Sequence, residues 1–437
     1  MSCCFVPPYL LERIAATHPD PSVVAALRAS LTVDSQLRAQ RGRAATSVAV
    51  PGAGAFAVYT ASNGATLPGA EVRAADAPAS GDPAVDEAHD GVADTLAMYA
   101  DVLHRSSYDG QGAFVTATVH YRKDYDNAFW NGQQLVFGDG DGTVFGRFTK
   151  PVDVIGHEFT HAVTQFTAGL TYSDQPGALN ESVSDVFGIC VKQRLLGQTA
   201  AEADWLIGEG IFLRGVQGKA LRSMKAPGTA YDDPRLGKDP QVGDMKDYVH
   251  TTSDNGGVHI NSGIPNRAFY LAATAIGGNA WEGAGPIWYA ALTSGIGADT
   301  DFAGFAAATL AAAQAVSDAA AAAVSSAWET VGVTGGTTPP AGTPADRAPG
   351  EDENEVSVVR SGGVAGITRH GRIVLGHDTR TDEVEALLTR IDLRGVAASE
   401  PAPDMFVYTF RIRGEQAVVG EQDLTAELAD LARILLS

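Results

Sequence analysis

The segment Val154-Ile-Gly-His157-Glu158-Phe-Thr-His161-Ala constrains this chain more than any other, because it links local conformation to chemistry. Two histidines four residues apart share one face if the segment is a helix, which predicts a helix here. Two imidazoles placed in this way form half of a zinc site. Glu158 lies at the same edge, where it can take a proton from a metal-bound water. The alternative is an ordinary amphipathic helix with polar histidines.

A third ligand is expected from Ala178–Gly188, which predicts a second helix with apolar residues at helical spacing and carboxylates on the other side. Glu181 lies twenty positions after His161. Two neutral imidazoles and one carboxylate leave zinc positively charged with one open position, as in catalytic sites. Asp185, one turn after Glu181, is expected to accept the outer N–H of His157. The alternative is that these carboxylates form a solvated acidic face.

The pattern H-E-x-x-H, nineteen residues, then N-E-x-x-S-D resembles the thermolysin family of neutral metalloendopeptidases. Further segments occur in the family's order and extend the resemblance over about residues 50–334: Asn127-Ala-Phe-Trp130-Asn-Gly, Gly138-Asp-Gly-Asp-Gly142, Gly169-Leu-Thr-Tyr172, Leu221-Arg222-Ser-Met and Asp254-Asn-Gly-Gly-Val-His259-Ile-Asn-Ser-Gly263. The resemblance implies an α+β protein with two lobes. A β-rich lobe would occupy residues 46–151, and the zinc helix with a helical lobe residues 152–334.

The β-rich lobe should contain strands at Ala55–Thr60, Gly112–Tyr121 and Leu135–Phe137. The zinc helix should run from Asp153 to Ala168. The alanine-rich stretch Ala306–Ala323 predicts helix in a closing bundle. The zinc ligands come from consecutive helices, so the active site is expected between the lobes.

The resemblance also implies roles for side chains around the zinc. His259 and Tyr172 would hydrogen-bond the tetrahedral oxyanion, and Asp254 would orient His259 and raise its pKa. Asn180 would support the ligands together with Asp185. Without the surrounding motifs, Tyr172 would be interpreted as a half-buried loop tyrosine.

Substrate contacts are implied in the same way. Arg222 carries a planar fork suited to bidentate contact with the carbonyl of the residue after the scissile bond. Asn127 and the backbone of Ala128 would hold an extended peptide as a strand is held. An apolar pocket on the leaving-group side aligns with Phe145, Phe148, Val154, Ile207 and Leu221. A large hydrophobic substrate residue is expected there.

These parts imply a mechanism. Zinc lowers the pKa of its water from about 15.7 toward about 7 and polarises the peptide carbonyl. Glu158 accepts the water proton and later delivers it to the departing amine. Each oxyanion donor contributes about 3 kcal/mol in typical mutational data.

Calcium, which the family often binds beside the zinc helix, is where this chain departs from the pattern. Asp153, Asp204 and Glu209 keep their matching positions, but Lys192 stands where a shared acidic ligand is expected and Leu206 replaces another acid. A lysine ammonium could neutralise the carboxylates without a metal. We therefore expect the double calcium site to be lost, and a single weaker ion is the alternative.

The first 45 residues resemble the short propeptide of protealysin-like members, through Pro7-Pro8-Tyr9. A helix is predicted from Pro21 to Arg43, ending in a basic stretch suited to cleavage. This propeptide would block the cleft with residues around Cys3, Cys4, Pro7, Pro8 and Tyr9. A thiolate from Cys3 or Cys4 as a zinc ligand is a further hypothesis.

The cysteines and the charge limit compartment and partners. The N-terminus has no basic leader followed by an apolar core, so cytoplasmic synthesis is expected, with export by another route left open. Three cysteines do not make a disulfide framework. No run reaches the ~18 apolar residues of a membrane span. A net charge of −21 argues against nucleic acid and anionic membranes as partners. We expect a monomer that acts on peptide and protein substrates.

Residues 335–354 are predicted to be a linker by composition. Residues 355–437 predict a small α+β domain. Its strands are expected at Glu355–Arg360, Arg372–Leu375, Met405–Arg413 and Gln416–Val419, and its helices at Thr381–Ile391 and Leu424–Leu435.

Two segments of this domain, Val358-Val-Arg360-Ser-Gly-Gly363-Val-Ala-Gly366 and Pro403-Asp-Met-Phe-Val-Tyr408, resemble emfourin, a protein inhibitor of protealysin-type peptidases. The resemblance implies an inhibitor tethered to its own target, able to reach the cleft at a local concentration in the millimolar range. The alternative is an accessory domain that binds substrate or stabilises the enzyme.

Two other functions compete with the endopeptidase. Zinc aminopeptidases usually place eighteen residues between the second histidine and the glutamate, and carry a G-x-M-E-N segment; this chain has neither. A zinc-bound pseudoenzyme acting as a binding module is the second competitor. Intact Glu158, Tyr172 and His259 argue against it.

Overall fold

The structure is a computed structural model that describes residues 3–39, 55–333, 355–362, 369–375, 380–391, 406–412 and 415–435. The chain divides into two compact units, Met1–Thr338 and Pro339–Ser437. In the first unit the strands are β1 Cys3–Cys4, β2 Phe56–Thr60, β3 Ala70–Ala74, β4 Val115–Val119, β5 Ala128–Trp130, β6 Leu135–Phe137, β7 Leu206–Ile207, β8 Arg222–Ser223, β9 Asp232–Asp233 and β10 Gly237–Lys238. Its helices are α1 Pro8–Thr17, α2 Pro21–Ala39, α3 Pro83–Leu103, α4 Val152–Gln165, α5 Asp174–Leu196, α6 Asp254–Asn261, α7 Gly263–Ile276, α8 Ala284–Leu292, α9 Phe302–Val316 and α10 Asp318–Thr330.

One sheet joins the N-terminal segment to the β-rich lobe. Its strand order is β1-β5-β6-β4-β2-β3. The pairs β2–β4 and β4–β6 are parallel, whereas β5 runs antiparallel to β6 and β1 antiparallel to β5. The short strand β1 therefore adds to the edge of the lobe's own sheet, in the manner of a bound peptide.

Helices α4 and α5 approach each other closely over two glycines. A Cβ at Gly156 would lie 3.0 Å from the Cα of Gly188, and a Cβ at Gly188 would lie 2.5 Å from the carbonyl oxygen of Asp153. Because no side chain separates the two backbones here, residues on the facing sides of both helices meet. Helix α4 is buried continuously from Asp153 to Thr164, so the interpretation of His157 and His161 as ordinary polar positions on an amphipathic helix is wrong.

The alanine-rich stretch Ala306–Ala323 forms two helices, α9 and α10. Ser317 separates them and caps α10 with its side chain. Trp328 of α10 stacks on Trp288 of α8, with ring centroids 6.1 Å apart, and donates to the hydroxyl of Thr309 in α9. These contacts close the helical lobe.

The N-terminal segment packs into the first unit. Helices α1 and α2 contribute Leu10, Leu11, Ile14 and Leu27 to the main hydrophobic core, and all four side chains are fully buried. Burial of a leucine or isoleucine side chain contributes about 1.5–3 kcal/mol. The N-terminal segment is therefore held by core contacts of α1 and α2.

The second unit contains strands β11 Glu355–Gly362, β12 Arg369–Val374, β13 Phe406–Ile412 and β14 Glu415–Gly420, and helices α11 Thr381–Leu388 and α12 Ala426–Leu435. The strands form an antiparallel sheet in the order β12-β11-β13-β14. Its core includes Val358 and Phe410 from the sheet and Leu428 and Leu431 from α12. These residues make an α+β unit with a core of its own.

The predicted elements are confirmed with shifts at their ends. The three strands predicted in the β-rich lobe are β2, β4 and β6, and the predicted zinc helix, α4, ends at Gln165. Helix α12 begins at Ala426, because Glu421–Asp423 forms a 3-10 turn. Residues 40–43 of the predicted propeptide helix, the linker 335–354 and the emfourin-like residues 363–366 and 403–405 lie outside the described residues. Among the described helices, none has the length and apolar character needed to cross a membrane.

Candidate active site

Three buried side chains converge between α4 and α5. His157 and His161 come from α4 and Glu181 from α5, and each is at most 1% exposed. The two histidine Nε2 atoms lie 3.0 Å apart. Each lies 3.5 Å from a carboxylate oxygen of Glu181. Burial of Glu181 and Asp185 shows that the interpretation as a solvated acidic face is wrong.

The outer nitrogens of both imidazoles are fixed by hydrogen bonds. His157 Nδ1 lies 2.8 Å from Asp185 Oδ1, as predicted. His161 Nδ1 lies 2.8 Å from Asn180 Oδ1 and 3.0 Å from Ser184 Oγ. The Asn180 amide nitrogen donates to a backbone carbonyl, so its oxygen is the atom that faces His161. Both Nδ1 atoms therefore carry protons, and the lone pairs of both Nε2 atoms point at one site.

This donor set fits zinc. Two imidazole lone pairs and a carboxylate converge within a space where all three ligand atoms lie within 4.8 Å of one another, and no other such group occurs among the described residues. Without a cation, one ring must take up a proton. Burial alone would lower the pKa of His157, but Asp185 and Glu181 raise it to about 9; burial lowers that of His161 to about 3. The bound metal would replace that proton.

Glu158 projects from α4 toward β5 and is fully buried. Its Oε2 accepts a hydrogen bond from the backbone N–H of Trp130 at 2.8 Å. Its Oε1 is buried and has no hydrogen-bond partner within the described part of the chain. Burial raises the pKa of this carboxyl to about 8. The hydrogen bond to Oε2 thus fixes the orientation of the Glu158 carboxyl group, and Oε1 is available to exchange a proton.

His259 is positioned by an unusual turn at the start of α6. Asn255, Gly256 and Gly257 have positive φ, and a Cβ at Gly256 would lie 2.4 Å from Asp174 Oδ1. The turn brings Asp254 Oδ1 within 2.7 Å of His259 Nδ1, and Oδ2 accepts from the backbone N–H of His259. Burial tends to lower the pKa of His259, but Asp254 raises it overall. The ring is therefore held as a donor through Nε2.

Tyr172 lies beside His259, as predicted. Its hydroxyl is 3.4 Å from His259 Nε2 and donates a hydrogen bond to Glu181 Oε1. In this form of the protein the hydroxyl is thus bound to a zinc-ligand carboxylate. The side chain is 8% exposed, so the interpretation as a half-buried loop residue is wrong.

Arg222 contacts a carbonyl with one nitrogen and not with its fork, so the bidentate part of the expectation is wrong. Its fork binds Asp185 instead, with Nε 2.8 Å from Oδ2 and Nη2 2.7 Å from Oδ1. A single nitrogen, Nη1, reaches the carbonyl oxygen of Phe5 at 3.0 Å. Asp185 also accepts from Asn266. Burial would raise the pKa of Asp185, but Arg222 and His157 lower it to about 2, so this carboxylate holds the ligand and the arginine together.

The N-terminal segment occupies the substrate edge. Phe5 N–H donates to the carbonyl of Ala128 at 3.0 Å. Val6 makes two bonds with the Asn127 side chain, 2.8 Å from its N–H to Oδ1 and 3.2 Å from Nδ2 to its carbonyl. The carbonyl of Cys4 accepts from His259 Nε2 at 3.0 Å. The Asn127 side chain and the Ala128 backbone, both predicted to bind substrate, thus hold the protein's own chain.

Phe5 lies in the apolar pocket, and sequence reasoning did not single it out. Its ring is fully buried, packs edge-on against His157 with centroids 5.2 Å apart, and lies 4.6 Å from the Arg222 guanidinium carbon. The pocket residues predicted from the sequence are buried in the same core cluster: Phe145, Phe148, Val154, Ile207 and Leu221. The available signal was a large aromatic residue two positions before Pro7-Pro8-Tyr9.

The cysteine hypothesis is wrong for Cys4. Its side chain packs in a separate cluster with Val33, Tyr125 and Phe129, and its carbonyl oxygen, not its sulfur, faces the active site. The side chain of Cys3 lies outside the described residues. Pro7 is buried and leads directly into α1, which begins at Pro8. The N-terminal segment therefore enters the cleft through backbone contacts and Phe5.

A lysine ammonium lies among the residues at the calcium positions. Lys192 Nζ is 3.0 Å from both carboxylate oxygens of Asp204, 3.1 Å from Glu209 Oε2 and 3.1 Å from the carbonyl of Leu206. Asp153 accepts from the backbone N–H of Gly208. The expected loss of the double calcium site stays a prediction.

Comparisons with known proteins agree with this geometry. Family models match residues 41–165 (thermolysin metallopeptidase, catalytic domain), residues 168–333 (thermolysin metallopeptidase, alpha-helical domain) and residues 358–436 (emfourin). An extracellular metalloprotease of Pectobacterium carotovorum subsp. carotovorum is 49% identical over 334 residues, 76% of this chain and 96% of the relative. Protease PrtS of Photorhabdus sp. (strain Az29) is 49% identical over 63% of this chain and 76% of the relative.

A solved structure of the precursor of protealysin, a metalloproteinase from Serratia proteamaculans, is also similar. It is 50% identical, with a TM-score of 0.69, and the match covers 76% of this chain and all of that chain. The chain therefore belongs to the thermolysin family of metalloproteases, and it carries an emfourin domain after the catalytic region.

Proposed function

We propose that this protein is a zinc-dependent neutral endopeptidase, made as an inhibited precursor, that hydrolyses internal peptide bonds preceding large hydrophobic residues. The observation that carries the proposal is the seating of Phe5. An apolar side chain fills the pocket beside the predicted zinc ligands while its backbone is held on both sides by the expected substrate-binding groups.

The ligands of the zinc would be His157, His161 and Glu181. When bound, zinc lowers the pKa of a water toward neutrality and polarises a peptide carbonyl. Glu158 acts as general base through its unpartnered Oε1 and later returns the proton to the departing amine. The hydrogen bond from the backbone N–H of Trp130 to Glu158 Oε2 keeps the carboxylate in place during both proton transfers.

His259 and Tyr172 stabilise the oxyanion that forms on the carbonyl under attack. His259 supports this role because its Nε2 already donates to a carbonyl, that of Cys4. Tyr172 lies within reach of the same nitrogen and becomes a second donor when its hydroxyl turns from Glu181 to the substrate. Each such donor typically contributes about 3 kcal/mol to the transition state.

The test uses protein from which residues 1–45 have been removed after folding. Two internally quenched peptides would be compared that differ only in the residue after the intended cleavage site, leucine or aspartate. We expect cleavage before leucine and at least about a hundredfold lower kcat/KM for the aspartate peptide, because the predicted pocket residues are apolar and buried and the nearby Arg222 is already paired with Asp185. Equal rates would contradict the proposed specificity, and no hydrolysis of either peptide would revive the zinc-bound pseudoenzyme.

The second unit is proposed to be an intramolecular inhibitor of the mature enzyme. The support is its match to emfourin over residues 358–436 and its connection to the catalytic region through residues 335–354. A tether of this length gives an effective concentration in the millimolar range, so even a modest inhibitor would act in its own chain. The accessory substrate-binding or stabilising domain is the alternative.

Removing residues 337–437 distinguishes the two possibilities. In protein already freed of residues 1–45, we expect this deletion to raise kcat/KM on a short peptide, and the isolated unit added back to inhibit it. An accessory domain predicts the opposite pattern: unchanged rates on a short peptide and lower rates on protein substrates or a lower melting temperature. Steady-state kinetics on both substrate types provides the readout.

A further inference from the structure

Three independent contacts assign a register to the N-terminal segment in the cleft. His259, the proposed oxyanion donor, contacts the carbonyl of Cys4. Arg222, expected beside the residue after the scissile bond, contacts the carbonyl of Phe5. The ring of Phe5 lies against His157 and Arg222, in the core cluster that contains the residues predicted to form the pocket for that same position. All three contacts place the Cys4–Phe5 peptide bond at the position of a scissile bond.

The backbone hydrogen bonds give the direction of the chain. Strand β1 runs antiparallel to β5, with Cys4 opposite Phe129. Phe5 N–H donates to the Ala128 carbonyl, and Val6 both donates to and accepts from Asn127. A segment bound in reverse would present its N–H and carbonyl groups in the opposite order. This segment is held as a substrate is expected to be held.

We propose that the enzyme hydrolyses its own Cys4–Phe5 bond and thereby makes Phe5 the N-terminal residue of the precursor. The inference rests on the proposed function. One water is consumed: its oxygen bonds to the carbonyl carbon of Cys4, the bond from that carbon to the nitrogen of Phe5 breaks, and Glu158 passes the proton of the water to the nitrogen. The second proton of the water also goes to this nitrogen, so the products are a carboxylate at Cys4 and an ammonium group at Phe5, with no change in oxidation state.

The trimmed precursor stays inhibited. Phe5 and Val6 are fully buried, and α1 holds the segment in the core through Leu10 and Ile14. Loss of the residues before Phe5 removes the contact from Cys4 to His259 but keeps those to Ala128, Asn127 and Arg222. The cleavage is therefore distinct from the activating cut predicted near residues 38–43.

The experiment follows the N-terminus of the full-length, zinc-loaded protein by intact-mass measurement and N-terminal sequencing over time. We expect conversion to a species that begins at Phe5, and no conversion in Glu158→Gln. Phe5→Leu, which still fills the pocket, should be trimmed at the same bond, whereas Phe5→Asp should not. Glu158→Gln mixed with one tenth of wild-type precursor should keep its N-terminus, because each molecule cuts its own bond; trimming of the variant would overturn the cleavage within one molecule.

A second readout needs neither zinc nor turnover. In metal-free protein, hydrogen exchange at the Phe5 and Val6 amides should be slowed at least about tenfold relative to Phe5→Asp, because both N–H groups are bonded in the cleft. Unprotected amides would overturn the assigned register, as would trimming at the same bond in Phe5→Asp.

The outcome also separates this inference from the proposed function. An N-terminus that stays intact, in a preparation that hydrolyses the leucine peptide once residues 1–45 are removed, overturns the self-cleavage and leaves the endopeptidase standing. An intact N-terminus with no peptide hydrolysis after that removal overturns both.

Discussion

Glu158→Gln is expected to lower kcat/KM by about 10²- to 10⁴-fold while the protein still binds one zinc per chain. Glutamine keeps the shape of the side chain and an oxygen that can accept the Trp130 N–H, but it cannot take a proton from water. The zinc ligands are unchanged, so metal content should stay the same. Kinetics on the leucine peptide after removal of residues 1–45, with zinc measured by atomic absorption, gives both values.

Glu202→Gln is the matched control, because Glu202 is exposed and bonds only to nearby Thr199 in the hydrogen bonds described for it. It should keep full activity. A Glu158→Gln enzyme that retains more than about a tenth of wild-type turnover would contradict the general-base assignment, since general acid–base catalysis contributes at least about a hundredfold.

Removal of residues 1–45 from the folded protein is expected to raise kcat/KM on the leucine peptide by at least about a hundredfold. A segment tethered in the cleft competes with substrate at an effective concentration in the millimolar range or above. Phe5 alone contributes about 1.5–3 kcal/mol through burial. The comparison is made before and after the removal at equal zinc content.

A point substitution tests the same contact in the uncut chain. Phe5→Asp should recover part of the activity, since it would bury a carboxylate in an apolar core cluster where the nearby Arg222 is already paired with Asp185. Glu12→Gln, on the exposed side of α1, should leave the full-length protein inhibited. Equal activity before and after removal of residues 1–45 would show that the segment does not block the cleft.

The zinc ligands could be predicted because their geometry is local. The four-residue spacing of His157 and His161 fixes both rings on one face of α4, and the next helix supplies Glu181. The hydrogen bond from His157 to Asp185 could be predicted because Asp185 lies one turn after Glu181 on α5. Helix α5 meets α4 at Gly156 and Gly188, whose lack of side chains permits the close approach.

What the sequence could not provide depends on contacts between distant segments. The Arg222 fork was assigned to substrate, but it binds Asp185, and that pairing depends on how β8 folds back against α5. The role of Phe5 depends on the pairing of β1 with β5. A strand of two residues is too short to show the alternating pattern from which strands are predicted. The Cys4 hypothesis relied on sulfur chemistry, whereas the strand pairing turns its carbonyl toward His259.

The most direct test of the central claim is a zinc titration of metal-stripped protein freed of residues 1–45, followed by hydrolysis of the leucine peptide. A site built from His157, His161 and Glu181 predicts that activity is absent at the start, rises linearly with added zinc, and reaches its plateau at one equivalent per chain. Hydrolysis by the metal-stripped protein would contradict the account, and so would a protein that binds one zinc and cleaves nothing.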